Sequence, residues 1–135
     1  MTAYLRPLIL MIEDDPDFLE IAEMAVSQKG YGTIVATGGK EGLRYFQTHN
    51  PDLVILDLSL PDMSGLDVLW RIRQASNCPV IILTGTDNVE MFLQAMELEV
   101  DDYLTKGVAL KELVDRIEIT IGRVGSLVRN HTVGL

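Results

Sequence analysis

Cysteine is nearly absent from this sequence of 135 residues: Cys78 stands alone, so no disulfide can form within the chain. A single thiol fits a reducing cytosol, and its place just before an apolar run reads as a buried structural cysteine. Basic charge is also scarce. Eleven Lys and Arg face twenty Asp and Glu, a net charge of −9. Sequence-independent binding to nucleic acid or to an anionic membrane needs basic surface, so neither is expected of this segment. No apolar stretch approaches the ~20 residues of a membrane span. The short run Leu8–Ile12 is ended by Glu13-Asp14-Asp15 and reads as neither a signal peptide nor an anchor. Internal repeats, low-complexity tracts and internal linkers are missing as well, and the length suits one ordinary domain.

What is present is a core, with 47% of residues hydrophobic. Five short apolar runs, Leu8–Ile12, Thr33–Ala36, Leu53–Leu56, Val80–Leu83 and Tyr103–Leu104, alternate with five amphipathic stretches. The runs lack polar alternation, as strands buried on both faces do. Phe18, Ile21, Ala22, Ala25 and Val26 recur at helical spacing after Asp15-Pro16, and Gly30 ends that helix. The second helix is expected over Lys40–Thr48, stopped by Asn50-Pro51. The third follows Ser64-Gly65, the fourth begins near Asp87 and the fifth near Val108. Five strand–helix units imply an α/β fold: a doubly wound, flavodoxin-like parallel sheet of five strands in the order 2-1-3-4-5 with five helices.

In such sheets ligands sit beyond the carboxyl ends of the strands where strand order reverses, between the first and third strands. The first strand ends in Glu13-Asp14-Asp15 and the third in Asp57. Converging carboxylates resist ionising together, and hard oxygen ligands suit Mg²⁺. Helix capping alone explains the acidic triplet but not Asp57, which follows four consecutive apolar residues. The fourth strand ends in Thr84 and the fifth in Thr105-Lys106. Taken singly, these read as a turn hydroxyl and a solvated lysine. Together, a carboxylate nucleophile, a divalent cation, a hydroxyl and an ammonium are the parts of phosphoryl transfer.

At these residues the chain resembles the response-regulator receiver domain of two-component signalling systems. The matching pieces are Ile-Leu-Met-Ile-Glu13-Asp14-Asp15, Asp57-Leu-Ser-Leu-Pro61-Asp-Met-Ser-Gly65, Thr84-Gly85 and Asp101-Asp102-Tyr103-Leu-Thr-Lys106, within about residues 7–121. The resemblance implies that Asp57 is the phosphoacceptor. Asp14, Asp57 and the Ser59 backbone carbonyl would ligate Mg²⁺, with Glu13 acting through a metal-bound water. Lys106 would contact the phosphoryl group. Thr84 and Tyr103 would form the switch pair, and Asp15 starts the first helix. It further implies a sensor histidine kinase or histidine phosphotransfer protein as donor, and a readout surface on the fourth helix, fifth strand and fifth helix. Cytoplasmic location follows, as does an absence of enzymatic activity beyond the domain's own phosphorylation and slow dephosphorylation. His49 and His131 are not read as donors. Three positions depart from the family: Gly107 follows Lys106 where proline is usual, Gly85 replaces alanine, and Glu99 stands where glycine ends the fourth helix.

The domain is expected over 1–121, with 122–135 a C-terminal extension or the start of a linker to an output domain. Leu110, Val114, Ile117, Ile121, Val124 and Val128 keep a seam spacing that leaves open a coiled-coil homodimer. Three other readings stay in view. A receiver-like interaction module that is never phosphorylated is one. A haloacid-dehalogenase-type phosphohydrolase is disfavoured by Ser59 where its second Asp belongs. A flavodoxin-like cofactor binder is disfavoured by the acidic triplet where its phosphate would sit.

Overall fold

The computed structural model describes residues 6–133, and the side chains of residues 6–123. The apolar runs become five strands: β1 Leu8–Ile12, β2 Gly32–Ala36, β3 Leu53–Leu56, β4 Val80–Thr84 and β5 Asp102–Thr105. They form one parallel sheet in the expected order β2-β1-β3-β4-β5. The helices are α1 Pro16–Gln28, α2 Gly39–His49, α3 Gly65–Ala75, α4 Val89–Glu97 and α5 Leu110–Val133.

The unbroken apolar strands divide by period two into two cores. Ile9, Met11, Leu53, Ile55, Ile81 and Leu83 pack with Leu19, Ala22 and Val26 of α1 and Leu113 and Ile117 of α5. Leu10, Ile12, Val54, Leu56, Val80 and Ile82 pack with Val68, Leu69 and Ile72 of α3 and Ala95 of α4, and with Leu43 and Phe46 of α2. Truncating a fully buried leucine, isoleucine or methionine of these clusters to alanine removes apolar contacts worth about 2–5 kcal/mol.

Local chemistry sets the helix ends. Asp15 caps α1, accepting hydrogen bonds from the Asp17 and Phe18 N–H groups, and Pro16 takes the first helical position. Asn88 caps α4 by accepting from the Met91 N–H, so α4 starts at Val89, two residues after the expected Asp87. Gly38 precedes α2 and has no side chain to cap it. The cap comes from Asp62 in the loop after β3, whose carboxylate accepts from the Gly39 and Lys40 N–H groups at 2.7 and 3.0 Å.

The bonds from Lys40 and Gly39 hold the Asp62 carboxyl below its ordinary value of 3.8. A carboxyl with a lowered folded-state value contributes stability that is present above the ordinary value and is lost as pH falls through the lowered one. Asp62→Asn should therefore melt at a lower temperature than wild type at neutral pH, and the gap should close on acidification below 3.8. Thermal melts across the acid range check this.

Glu99, just after α4, adopts the left-handed conformation with φ 59°. A side chain there is strained where glycine is not. Replacing it with glycine should raise stability by roughly 1 kcal/mol in urea unfolding. The main-chain carbonyl that Glu99 presents to the Arg73 guanidinium at 3.0 Å is unaffected by that change.

Several element ends differ slightly from their sequence expectations. β5 gains Asp102 and Thr105, α2 gains Gly39 and His49, and α5 begins at Leu110 rather than near Val108. The α5 backbone also continues as helix past residue 122 to Val133, which Gly122 and Gly125 do not prevent. The seam positions Val124 and Val128 lie outside the residues whose side chains are described. Among the described residues, no helix is long and apolar enough to cross a membrane.

Candidate functional site

Strand register brings the site together. Ile12, the last residue of β1, pairs with Leu56, the last residue of β3, so Glu13 and Asp57 leave the sheet side by side. The Asp57 N–H donates to the Ile12 carbonyl at 3.0 Å and the Glu13 N–H to Ala36 at 2.9 Å, extending the ladder by one residue. Across the sheet Thr84 pairs with Thr105. The Lys106 N–H then donates to the Thr84 carbonyl at 2.9 Å, which fixes where the lysine leaves β5.

At this edge two carboxylates are almost wholly buried: Glu13 is 5% and Asp57 3% exposed. The Lys106 ammonium bridges them, 2.6 Å from Glu13 Oε1 and 3.1 Å from Asp57 Oδ2. The remaining oxygens accept main-chain donors. Asp15 N–H reaches Glu13 Oε2 at 2.8 Å, and Ser59 N–H reaches Asp57 Oδ1 at 3.1 Å. Both Glu13 oxygens thus have protein partners, whereas Asp14 beside it is exposed.

Burial pushes the Glu13 carboxyl above its ordinary range. The hydrogen bonds from Lys106 and Asp15 only partly oppose this, and the Asp57 charge adds to it. For Lys106, burial pulls the ammonium down, but its hydrogen bonds to Glu13 and Asp57 and their charges outweigh that and the net shift is upward. The lysine has two carboxylate partners and stays charged. For Glu13 burial outweighs the same contact, and the Asp57 charge beside it adds to the upward shift.

One carboxylate oxygen from each of Glu13, Asp14 and Asp57 lies within 4.8 Å of the other two. An all-oxygen, acid-rich cluster with one open side has the chemistry that suits Mg²⁺. Gly65 keeps the loop after β3 tight over this edge: a Cβ there would run into the Leu58 backbone and the Asp57 carbonyl. Its N–H donates to the Leu58 carbonyl at 2.9 Å.

Thr84 is fully buried at the end of β4, and its hydroxyl accepts weakly from the Thr86 N–H at 3.4 Å. Tyr103 does not join it. Its ring packs into the α3–α4 side of the core and meets Phe92 of α4 edge to face, with centroids 4.9 Å apart. Its hydroxyl is buried without a partner among the described residues, and burial raises its pKa. Sequence reasoning missed a further neighbour of the lysine. The Phe18 ring of α1 lies under the ammonium, 5.2 Å from nitrogen to centroid. Nothing in its spacing distinguishes it from the other apolar residues of that helix.

Known proteins are similar to this chain in sequence and in fold. Transcriptional regulatory protein KdpE of Mycobacterium tuberculosis is 39% identical over 116 residues, covering 86% of this chain and 51% of that protein. The chain spans about half the length of the curated relatives it matches. The signal receiver domain of a putative LuxO repressor protein from Vibrio parahaemolyticus superposes with a TM-score of 0.85 at 30% identity, covering 92% of this chain and 98% of that one. The receiver domain of Francisella response regulator 1452 gives 0.82 at 33% identity, over 88% and 99% of the two chains. The response regulator receiver domain family itself matches residues 9–118, a span running from β1 into α5 and holding every residue of the acidic edge, so this chain belongs to that family.

Proposed function

We propose that this receiver domain accepts a phosphoryl group on Asp57 from a sensor histidine kinase or histidine phosphotransfer protein, in a Mg²⁺-dependent reaction. The observation that carries the reading is the Lys106 ammonium set between Glu13 and Asp57, 2.6 and 3.1 Å away, at the end of the switch-point strands. An Asp57 carboxylate oxygen attacks phosphorus as the bond from phosphorus to the donor imidazole nitrogen breaks. An acyl phosphate forms and the imidazole leaves. Lys106 neutralises charge on the phosphoryl oxygens, and the Ser59 N–H holds the acceptor carboxylate in place. Asp14, Asp57 and the Ser59 carbonyl would hold the ion, with Glu13 acting through water. Bound there, Mg²⁺ supplies further charge neutralisation at the transferring group.

In the switch we propose, the Thr84 hydroxyl turns from the Thr86 N–H to a phosphoryl oxygen, and the half-buried Tyr103 ring couples that turn to α4. The changed surface across α4, β5 and α5 would then be read by an output domain, a target protein or a second copy. The half-length match to transcriptional regulatory proteins supports an output domain beyond this segment.

The test is incubation with acetyl phosphate followed by intact mass. With Mg²⁺ we expect a gain of one phosphoryl group, and with the metal chelated, little or none. No gain even with Mg²⁺ would leave the receiver-like interaction module as the better reading. Repeated turnover of phosphate esters would point instead to a phosphohydrolase.

A further inference from the structure

We propose that Phe18 is a positioning residue for Lys106, its ring face holding the ammonium over the carboxylates from the side of α1. This rests on the phosphoacceptor reading of Asp57. The lysine has few walls. A Cβ at position 85 would touch the Lys106 Cδ at 3.8 Å, but Gly85 provides none. Gly107, the next residue in the chain, brings no side chain either. Lys106 is anchored through its main chain to Thr84, while its side chain is 22% exposed and spans from there to Glu13 and Asp57. On the remaining side lies Phe18, 5.2 Å from the ammonium, within the reach of a cation–π contact.

Phe18 is itself held. Its N–H donates to the Asp15 carboxylate at 3.3 Å in the α1 cap, and its ring packs against the α1–α5 core. Asp15 in turn donates its N–H to Glu13. The six residues from Glu13 to Phe18 therefore supply both a carboxylate partner and the aromatic wall of the same ammonium. With the ring in place, the lysine spends more of its time beside Asp57. Without it, the flexible four-carbon stem reaches solvent more often.

Phe18→Leu keeps an apolar side chain and removes the π face. We expect acetyl phosphate to label it roughly two- to fivefold more slowly than wild type, the size of an exposed cation–π contact. Phe18→Trp should label at least as fast as wild type. In a Lys106→Met background, Phe18→Leu should have no further effect on the rate. The contact is also read without phosphorylation: the Lys106 ε-methylene proton resonances of the free protein should lie upfield through the ring current and return to ordinary values in Phe18→Leu. Equal slowing by Phe18→Leu with and without Lys106, or ordinary ε-methylene shifts in wild type, would overturn the proposal. Wild type that takes no label would overturn the phosphoacceptor reading instead, and the resonance comparison would still decide whether Phe18 holds the lysine.

Discussion

Asp57→Asn should take up no phosphoryl group from acetyl phosphate and Mg²⁺ under conditions that label wild type. An amide oxygen is a poor nucleophile and forms no stable acyl phosphate, so the effect is a loss of the reaction rather than a slowing. The fold should survive the change. The amide oxygen can still accept the Ser59 N–H that now meets Oδ1 at 3.1 Å, and Lys106 keeps its 2.6 Å partner in Glu13. Removing one of two crowded carboxylates also relieves their repulsion. A melting temperature at or above that of wild type, together with an unchanged mass after incubation, is the expected pair of results. Equal labelling of wild type and variant would place the acceptor elsewhere and remove the roles proposed for Lys106 and Thr84.

Arg73→Ala should cost about 3 kcal/mol of stability. The Arg73 guanidinium is spread over three main-chain carbonyls: Leu98 at 2.9 Å, Cys78 at 2.7 Å and Glu99 at 3.0 Å. It also lies 3.5 Å from the Asp101 carboxylate, with its side chain only 11% exposed. Its fork ties the end of α3 to the turn before β4 and to the end of α4. Hydrogen bonds from a charged donor are worth more than neutral ones, and truncation leaves the carbonyls to find water in a partly closed space. Lysine cannot reproduce a planar fork, so Arg73→Lys should recover less than half of the loss. Urea unfolding measures both, and a drop of about 3 kcal/mol corresponds to roughly 10 °C in melting temperature for a domain of this size. A loss under about 1 kcal/mol would show that the clamp carries little. These contacts lie where the chain enters β4 and β5, opposite the acidic edge, so folded Arg73 variants should still take label on Asp57.

The legible parts of this fold and site are those written in contiguous residues. Four apolar residues before Asp57, and the Leu8–Ile12 run before Glu13, announce both a buried strand and what stands at its end. Strand order makes those two strands neighbours, and the structure pairs Ile12 with Leu56. The missed features join residues far apart with no period to betray them. Asp62 sits after Pro61 and reads as an ordinary turn residue, yet it caps a helix that begins 23 positions earlier. Arg73 reads as the polar face of α3, because nothing local reveals the carbonyls of Leu98 and Glu99 that arrive 25 and 26 positions later. Glu99 was legible as a departure from the family, and the structure takes the costlier alternative, a left-handed glutamate rather than a rerouted chain. The length of α5 stayed open in the sequence for a different reason: a glycine such as Gly122 costs a helix only ~1 kcal/mol, too little to stop it alone.

Ala95 is the one residue of α4 that is buried, while Val89, Phe92, Leu93 and Met96 carry its larger apolar surface outward. By contrast α1 buries Leu19, Ala22 and Val26, and α3 buries Gly65, Val68, Leu69 and Ile72. Detaching α4 sacrifices far less buried area than detaching α1 or α3, so its sub-global opening lies lower in free energy than theirs and its amides exchange with solvent more readily. With its far end stapled by Arg73, such opening begins at the Asn88 end, the end that follows Thr84 in the chain. A perturbation of a few kcal/mol at the acidic edge is therefore on the scale needed to redistribute this helix between docked and undocked populations, while the remainder of the sandwich stays closed.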